Sequence, residues 1–296
     1  MSPNRQSALF YLKITENKET KEIMKNTSYD STQDYMKKNL PPEVLKFLED
    51  ANAPREVRDY IVNIINDLSA QEAKQAQFVS DVSHEIRTPL TAIRGTAETL
   101  LEGDVPAYMQ KRFLTQIVNE SDRLTRLAND LLTLQKASDC RMELSRVNLR
   151  VIADNCSLLM GELLEERGVS LQVRGEAPDI NGNADAINQI LVNLIENASR
   201  YAHSKVVVHI TALQGYSVIA VQDDGPGFGD VDPAHLFNRF YRADQSRARH
   251  RSTGNSGLGL SIVKALADGM NGSVEAANTS KGAVFIVAFP SIGPEL

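Results

Sequence analysis

His84 stands directly before Glu85 and five residues before Pro89 in the stretch FVSDVSHEIRTPL, a spacing that can make an imidazole reactive. A neutral imidazole attacks phosphorus through its unprotonated nitrogen, and an adjacent carboxylate that takes or holds the other ring proton makes that nitrogen a better nucleophile. Glu85 can do this for His84. A proline inside a helix removes one backbone hydrogen bond and costs roughly 3 kcal/mol, so a kink at Pro89, just after the histidine, argues for function at this turn. An isolated histidine on a helix surface is simply solvated; the company of Glu85 and Pro89 is what favours the reactive reading.

A second set of residues further along suits a phosphate-bearing ligand. Asn193 and Asn197 lie four residues apart on one face of NQILVNLIENASRY, with Ile190, Leu191, Leu194 and Ile195 on the buried side. Two amide oxygens so aligned can reach a hard cation and the phosphates it bridges. Asparagine is a poor mid-helix residue, so two of them in a well-patterned helix need a reason. In VQDDGPGFGD, Gly225, Gly227 and Gly229 let the backbone approach a planar ligand, and the Asp223 carboxylate can accept a hydrogen bond from an exocyclic amine such as that of adenine. Asp-Gly is also a hairpin signal, but a helix over DPAHLFNRFYRAD is expected next instead of a returning strand. GNSGLGLSIVKAL then sets Gly254, Gly257 and Gly259 at a helix start, where free N–H groups and the helix dipole suit phosphate.

These residues need elements to hold them. Ile61, Ile65, Leu68, Val79, Val82, Ile86 and Ile93 recur at heptad-like steps on a long helix beginning near Arg55, which puts His84 at an outward f position with Asp81 and Thr88 on the same face. The helix is expected to end near Leu101, where EGDVP offers a glycine, Asp104 as N-cap and Pro106 in the next first turn. A second stripe runs through Phe113, Ile117, Leu124, Leu127, Leu131 and Leu134. Two such helices cannot bury both stripes alone, so a four-helix bundle formed by two chains, a homodimer, is the expectation. From about Val147 the pattern turns to mixed α and β, with helices over LRVIADNCSLLMGELLEERG, ADAINQILVNLIENASRYA and SGLGLSIVKALADGM. The strands are VSLQVRGE, KVVVHITAL, YSVIAVQ, SVEAAN and AVFIVAFP. This is an α+β sandwich with helices on one face of a mixed sheet.

The expected organisation is an N-terminal segment of unknown role over 1–54 and a signalling helix or linker over 55–77. A helical hairpin over 78–137, a linker over 138–146 and the α+β domain over 147–292 follow. A net charge of −6 with no long basic block speaks against a nucleic-acid partner. Cys140 and Cys156 lack the spacing of a zinc site or disulfide framework and fit a reducing compartment. ALFYLKI, Ala8 to Ile14, is too short to span a membrane, and no other window reaches the roughly 20 apolar residues a span requires. The chain therefore reads as cytoplasmic.

FVSDVSHEIRTPLTAIRG resembles the H box of sensor histidine kinases, in the subfamily carrying His-Glu-x-x-Thr-Pro. The asparagine helix, the Asp-Gly-x-Gly loop, the Phe-Tyr-Arg segment and the Gly-x-Gly helix start, in that order, resemble the N, G1, F and G2 boxes of their catalytic domains, which have the GHKL (Bergerat) ATP-binding fold. The likeness covers about residues 70 to 290. It implies that His84 is the phosphoacceptor, Glu85 the general base, and Thr88 the residue that positions water when the enzyme works backwards as a phosphatase. It implies ATP and Mg²⁺ as cofactors: Asn193 and Asn197 at the magnesium-phosphate site with Asn197 the direct ligand, Asp223 on adenine, and Arg200 and Tyr201 bordering the phosphates. Gly225, Gly227, Gly257, Leu258 and Gly259 would shape the pocket, and Arg242 would approach the terminal phosphate. The segment between Gly229 and Gly254, with Arg247, Arg249 and Arg251, would be the ATP lid.

The same likeness implies phosphoryl transfer to an aspartate of a response regulator. Asp224 departs from the family's usual Asn, Phe228 from Ile, Asn255 and Ser256 from Gly-Thr, and Gly269 to Gly272 from His-Gly-Gly. These differences bear on nucleotide affinity and the lid. Three rivals share parts of the pattern: a phosphatase-dominant regulator, a GHKL conformational ATPase that labels no histidine, and a non-catalytic dimeric scaffold.

Overall fold

The computed structural model describes residues 39–49, 54–103, 105–138, 142–241 and 256–293. The chain divides into two compact units, Met1–Val82 and Ser83–Leu296. The expected cap at Asp104, the whole lid arginine cluster, Cys140, Gly254, Asn255 and Arg242 fall outside the described residues.

In the first unit, α1 (Pro42–Glu49) precedes the start of α2 (Arg55–Leu101). Ile65 is buried there, whereas Leu68 and Val79 stand exposed. Helix α2 runs without interruption through Pro89, which is itself buried.

In the second unit, α3 (Ala107–Ser138) is followed by β1 (Ser145–Val147), α4 (Leu149–Glu165), β2 (Ser170–Gly175), β3 (Ile180–Gly182) and α5 (Ala184–Tyr201). Then come β4 (Lys205–Leu213), β5 (Tyr216–Asp223), a 3₁₀ turn (Pro233–Phe237), α6 (Gly259–Asp268), β6 (Ser273–Thr279) and β7 (Gly282–Pro290). The main sheet has strand order β2-β4-β5-β7-β6, with β2 parallel to β4 and every other pair antiparallel. Helices α4 and α5 start with Asn148 and Asn183, whose side chains accept the N–H of Val151 and Ala186. These bonds satisfy donors that the first turn of a helix leaves unpaired.

The apolar face of α5, from Ala186 and Ile187 through Ile190, Leu191, Leu194, Ile195 and Ala198, is buried, and so are Leu258, Ile262 and Val263 beside it. They form one core with Val206, Val208, Ile219 and Val221 of the sheet and with Leu127, Leu134 and Ala137 of α3. Part of the α3 stripe therefore packs within its own chain. A different row on α3 is left open: Leu114, Val118 and Leu132 are each more than half exposed.

Two expectations change. Where a helix is expected over DPAHLFNRFYRAD, the described residues 232–241 hold a single 3₁₀ turn, capped by the Asp232 side chain on Ala234 N–H. It stops because Asn238 is extended and Phe240 takes φ +60°, while buried Phe237 meets Phe285 edge-on at 6.3 Å between centroids. The linker also holds structure that periodicity could not show, since β1 pairs with β3 across Val147 and Ile180 in a ladder three residues long.

Candidate active site

The histidine turn comes first. His84 and Thr88 are exposed on α2, and the Thr88 hydroxyl donates to the His84 carbonyl at 3.2 Å, one turn back along the helix. Glu85 is not bonded to the His84 ring. Its Oε2 instead accepts from Arg123 on α3 at 2.8 Å, and Arg123 also lies 3.7 Å from Glu120. Arg123 is mostly shielded from solvent, with 15% of its side chain exposed. This arginine was missed in the sequence, where nothing local ties residue 123 to residue 85. The pair ties α2 to α3 beside the histidine and holds the Glu85 carboxylate in place.

The loop after β5 is built around two aspartates with opposite surroundings. Asp223 is 4% exposed, and its Oδ1 accepts N–H groups of Gly225 at 2.8 Å and Ala283 at 3.3 Å. Burial pushes its carboxyl above the usual range, the two N–H donors pull it back, and neighbouring Asp224 raises it again. Neither N–H bond uses Oδ2. Asp224 turns the other way and accepts from the N–H of His203 at 2.8 Å, Ser204 at 3.0 Å and Lys205 at 3.1 Å, and from the Ser204 hydroxyl at 2.7 Å. Burial works against its charge, but the Ser204, Lys205 and His203 donors outweigh it and hold the carboxyl well below the usual range. The departure from asparagine at Asp224 thus anchors the α5–β4 turn.

The glycines have a more specific reason than ligand approach. A Cβ on Gly225 would sit 2.2 Å from the Tyr201 carbonyl oxygen, and one on Gly227, at φ +73°, would sit 2.4 Å from Asn278 Oδ1. Asn278, which no motif marked, clamps the loop: its Oδ1 accepts Phe228 N–H at 2.9 Å and its Nδ2 donates to Gly229 at 2.7 Å. The Phe228 ring packs on Phe285 at 6.3 Å, so the larger residue here fills space beneath the loop.

The glycine turn before α6 faces the asparagine helix. Phe240 N–H donates to the Gly257 carbonyl at 3.0 Å, and a Cβ on Gly257 would lie 3.1 Å from Phe240 Cα. Leu258 is fully buried and its N–H reaches Ser256 Oγ at 3.3 Å. Gly259 is the close neighbour of Asn193, whose Oδ1 would be 3.5 Å from an added Cβ. Asn193 Nδ2 is buried without a hydrogen-bond partner, an unmet donor beside a helix start. Asn197 lies half-buried one turn further along α5, with half-buried Arg200 and partly exposed Tyr201 closing the helix. The donor set fits a nucleotide with its phosphates at α6: unmet amide nitrogen, amide oxygens one turn apart, and helix N–H groups. Of the residues implied for the nucleotide, Gly259 adjoins Asn193 and Gly225 adjoins Tyr201 and Asp223.

Residues 74–139 match the family model "His Kinase A (phospho-acceptor) domain", and residues 182–292 match "Histidine kinase-, DNA gyrase B-, and HSP90-like ATPase". The chain is 32% identical over 231 residues to sensor histidine kinase WalK of Bacillus subtilis, covering 73% of this chain and 37% of that one. It is 35% identical over 225 residues to sensor histidine kinase MtrB of Mycobacterium tuberculosis, covering 74% and 39%. The chain belongs to the sensor histidine kinase family. Solved histidine kinases share its fold: ThkA, in a complex with response regulator protein TrrA, superposes with a TM-score of 0.61 at 21% identity over 75% of this chain and 64% of that one. AdeS of Acinetobacter baumannii superposes at 0.54 with 22% identity over 71% and 98%. This chain spans less than half the length of WalK and MtrB. Among the described residues, no helix is long and apolar enough to cross a membrane.

Proposed function

We propose that this chain is an ATP-dependent protein histidine kinase that phosphorylates His84 and passes the phosphoryl group to an aspartate of a response regulator. The observation that carries the reading is the pairing, within one compact unit, of an exposed His84 beside Glu85 with a glycine turn facing the unmet amide of Asn193. Asp223 Oδ2 is the acceptor for the adenine amine, and Asp223 Oδ1 is held still by Gly225 and Ala283. The α6 N-terminus and Arg200, Tyr201 and Asn193 address the phosphates. Asn197, with Asn193, would hold Mg²⁺, which supplies neutralisation of the charge that builds between the phosphates during transfer. Arg242 is assigned to the terminal phosphate on its place in the Phe-Tyr-Arg segment.

At the acceptor, Glu85 takes the proton of the imidazole nitrogen distal to the attack. Arg123 keeps its carboxylate oriented, so that bond must loosen or be shared as the ring turns to the base. The open row Leu114, Val118 and Leu132 on α3 supports pairing of two hairpins as a homodimer. Thr88, exposed and fixed by its bond to the His84 carbonyl, favours a reverse reaction at the same turn, in which its hydroxyl oxygen orients water against the phosphorylated regulator. The reading places the kinase in the cytoplasm, where ATP and regulator meet.

Incubation of the purified chain with labelled ATP and Mg²⁺ should give acid-labile, alkali-stable phosphate that is lost in His84→Gln and strongly reduced in Asn197→Ala. Labelling that survives His84→Gln would sink the assignment, and ATP turnover without any protein label would favour the conformational ATPase.

A further inference from the structure

The glycine turn is tied to the phosphoacceptor hairpin by a half-buried carboxylate. Ser256 Oγ donates to Asp130 Oδ2 on α3 at 2.7 Å, and the same Oγ takes the N–H of Leu258 at 3.3 Å. Ser256 is 8% exposed. Burial pushes the Asp130 carboxyl up; the Ser256 hydroxyl pulls it down, Glu196 of α5 raises it and Arg126 lowers it. Asp130 stands seven residues beyond Arg123 on α3, about 10 Å along the axis at 1.5 Å per residue. The turn is therefore docked two helical turns away from the level at which Arg123 grips Glu85.

This chain of two bonds has a consequence for an anion. The Leu258 N–H at the start of α6 is among the groups a phosphate would use, and here it is held by a hydroxyl that is itself polarised by a carboxylate. A polyphosphate must compete for that N–H and must also approach the half-buried negative charge of Asp130. Asn193, with its buried unpartnered amide nitrogen, marks the same place as the one the ligand occupies.

We propose that Asp130 is a positioning residue that couples nucleotide to domain docking: it anchors the glycine turn to α3 without nucleotide, opposes phosphate there, and is released when ATP binds. This rests on the nucleotide site assigned under the proposed function. Linkage requires the reciprocal effect, so whatever factor docking subtracts from ATP affinity, ATP subtracts from docking. ATP would then free its own domain from the resting position on α3 and let it travel to His84. Like charges brought together at a partly solvated site, at an effective dielectric of ~20, set the opposition at several-fold to roughly tenfold in affinity after solvent screening.

The test uses the whole chain and a fluorescent, non-hydrolysable ATP analogue with Mg²⁺. Asp130→Asn, which keeps an acceptor for Ser256 but drops the charge, and Asp130→Ala, which drops both, should each tighten analogue binding about three- to tenfold. Asp130→Ala should also raise the initial rate of autophosphorylation at saturating ATP. Ser256→Ala should raise that rate too, and the double variant should go no further than Asp130→Ala alone. Nucleotide-induced shifts in melting temperature, measured on every variant, report binding even where the resting stability changes. Unchanged or weaker binding in both Asp130 variants, or additive effects in the double variant, overturns the coupling. If the wild type neither binds the analogue nor labels His84, the functional reading itself fails; if it does both and Asp130→Asn changes neither, only this inference fails.

Discussion

Replacing Asp224 by alanine removes the acceptor for three backbone N–H groups and one hydroxyl in the turn between α5 and β4. Hydrogen bonds to a charged group contribute about 1.5–3 kcal/mol each when shielded. Asp224 is only partly buried, so water would replace some of them, and a net loss of about 3 kcal/mol is expected rather than the full sum. For a unit of this size that corresponds to a melting temperature lower by roughly 6–12 °C. Asp224→Asn keeps one acceptor oxygen but leaves the Ser204 hydroxyl and one N–H less well served, so it should cost about 1–2 kcal/mol. The folded carboxyl titrates below its unfolded value near 3.9, so its contribution is complete above that pH and disappears as pH falls through the lower folded value. The gap between wild type and Asp224→Ala in urea unfolding should hence stay constant from about pH 7 to 5 and close below about pH 4. A gap under about 0.5 kcal/mol at neutral pH, or one that widens on acidification, refutes the argument.

Asp223→Asn should weaken adenine nucleotide binding by about 10- to 100-fold, the worth of one buried charge-assisted bond, while leaving melting without nucleotide close to wild type; equal affinity for both proteins in a fluorescence titration would remove Asp223 from the adenine site. Gly225→Ala should destabilise by about 1–3 kcal/mol, because its methyl group would overlap the Tyr201 carbonyl, and chemical denaturation reads this directly. Leu114→Glu, in the open row of α3, should convert a dimer to a monomer in sedimentation equilibrium, and a monomeric wild type would contradict the bundle.

Much of the fold was legible because its elements are periodic. The α5 stripe from Ala186 to Ala198 and the alternating burial of Lys205–Leu213 are local patterns that a core enforces. Gly168, at φ +75°, stands just past the end of α4, where a glycine takes the left-handed turn that ends a helix. The three-residue strands β1 and β3 were not legible, because their pairing depends on topology and leaves almost no periodicity to read. The helix expected over DPAHLFNRFYRAD failed because Phe237 and Phe240 are spent on the core and the glycine turn. At the site, the residue types were readable and their partners were not. Arg123 on Glu85, Asn278 on the Gly227 loop and Asp130 on Ser256 join residues 38 or more positions apart, and no spacing rule reaches that far. The reading of Gly225 and Gly227 as room for a ligand was incomplete for the same reason: the space is taken by Tyr201 and Asn278.

The most direct test of the central claim is localisation of the phosphoryl group after incubation with ATP and Mg²⁺, by mass spectrometry of peptides kept at neutral to alkaline pH. Phosphate should reside on the peptide containing His84, vanish in His84→Gln, and leave the protein when a cognate response regulator is added. Phosphate on any other residue, or ATP consumed with His84 unmodified, would contradict it.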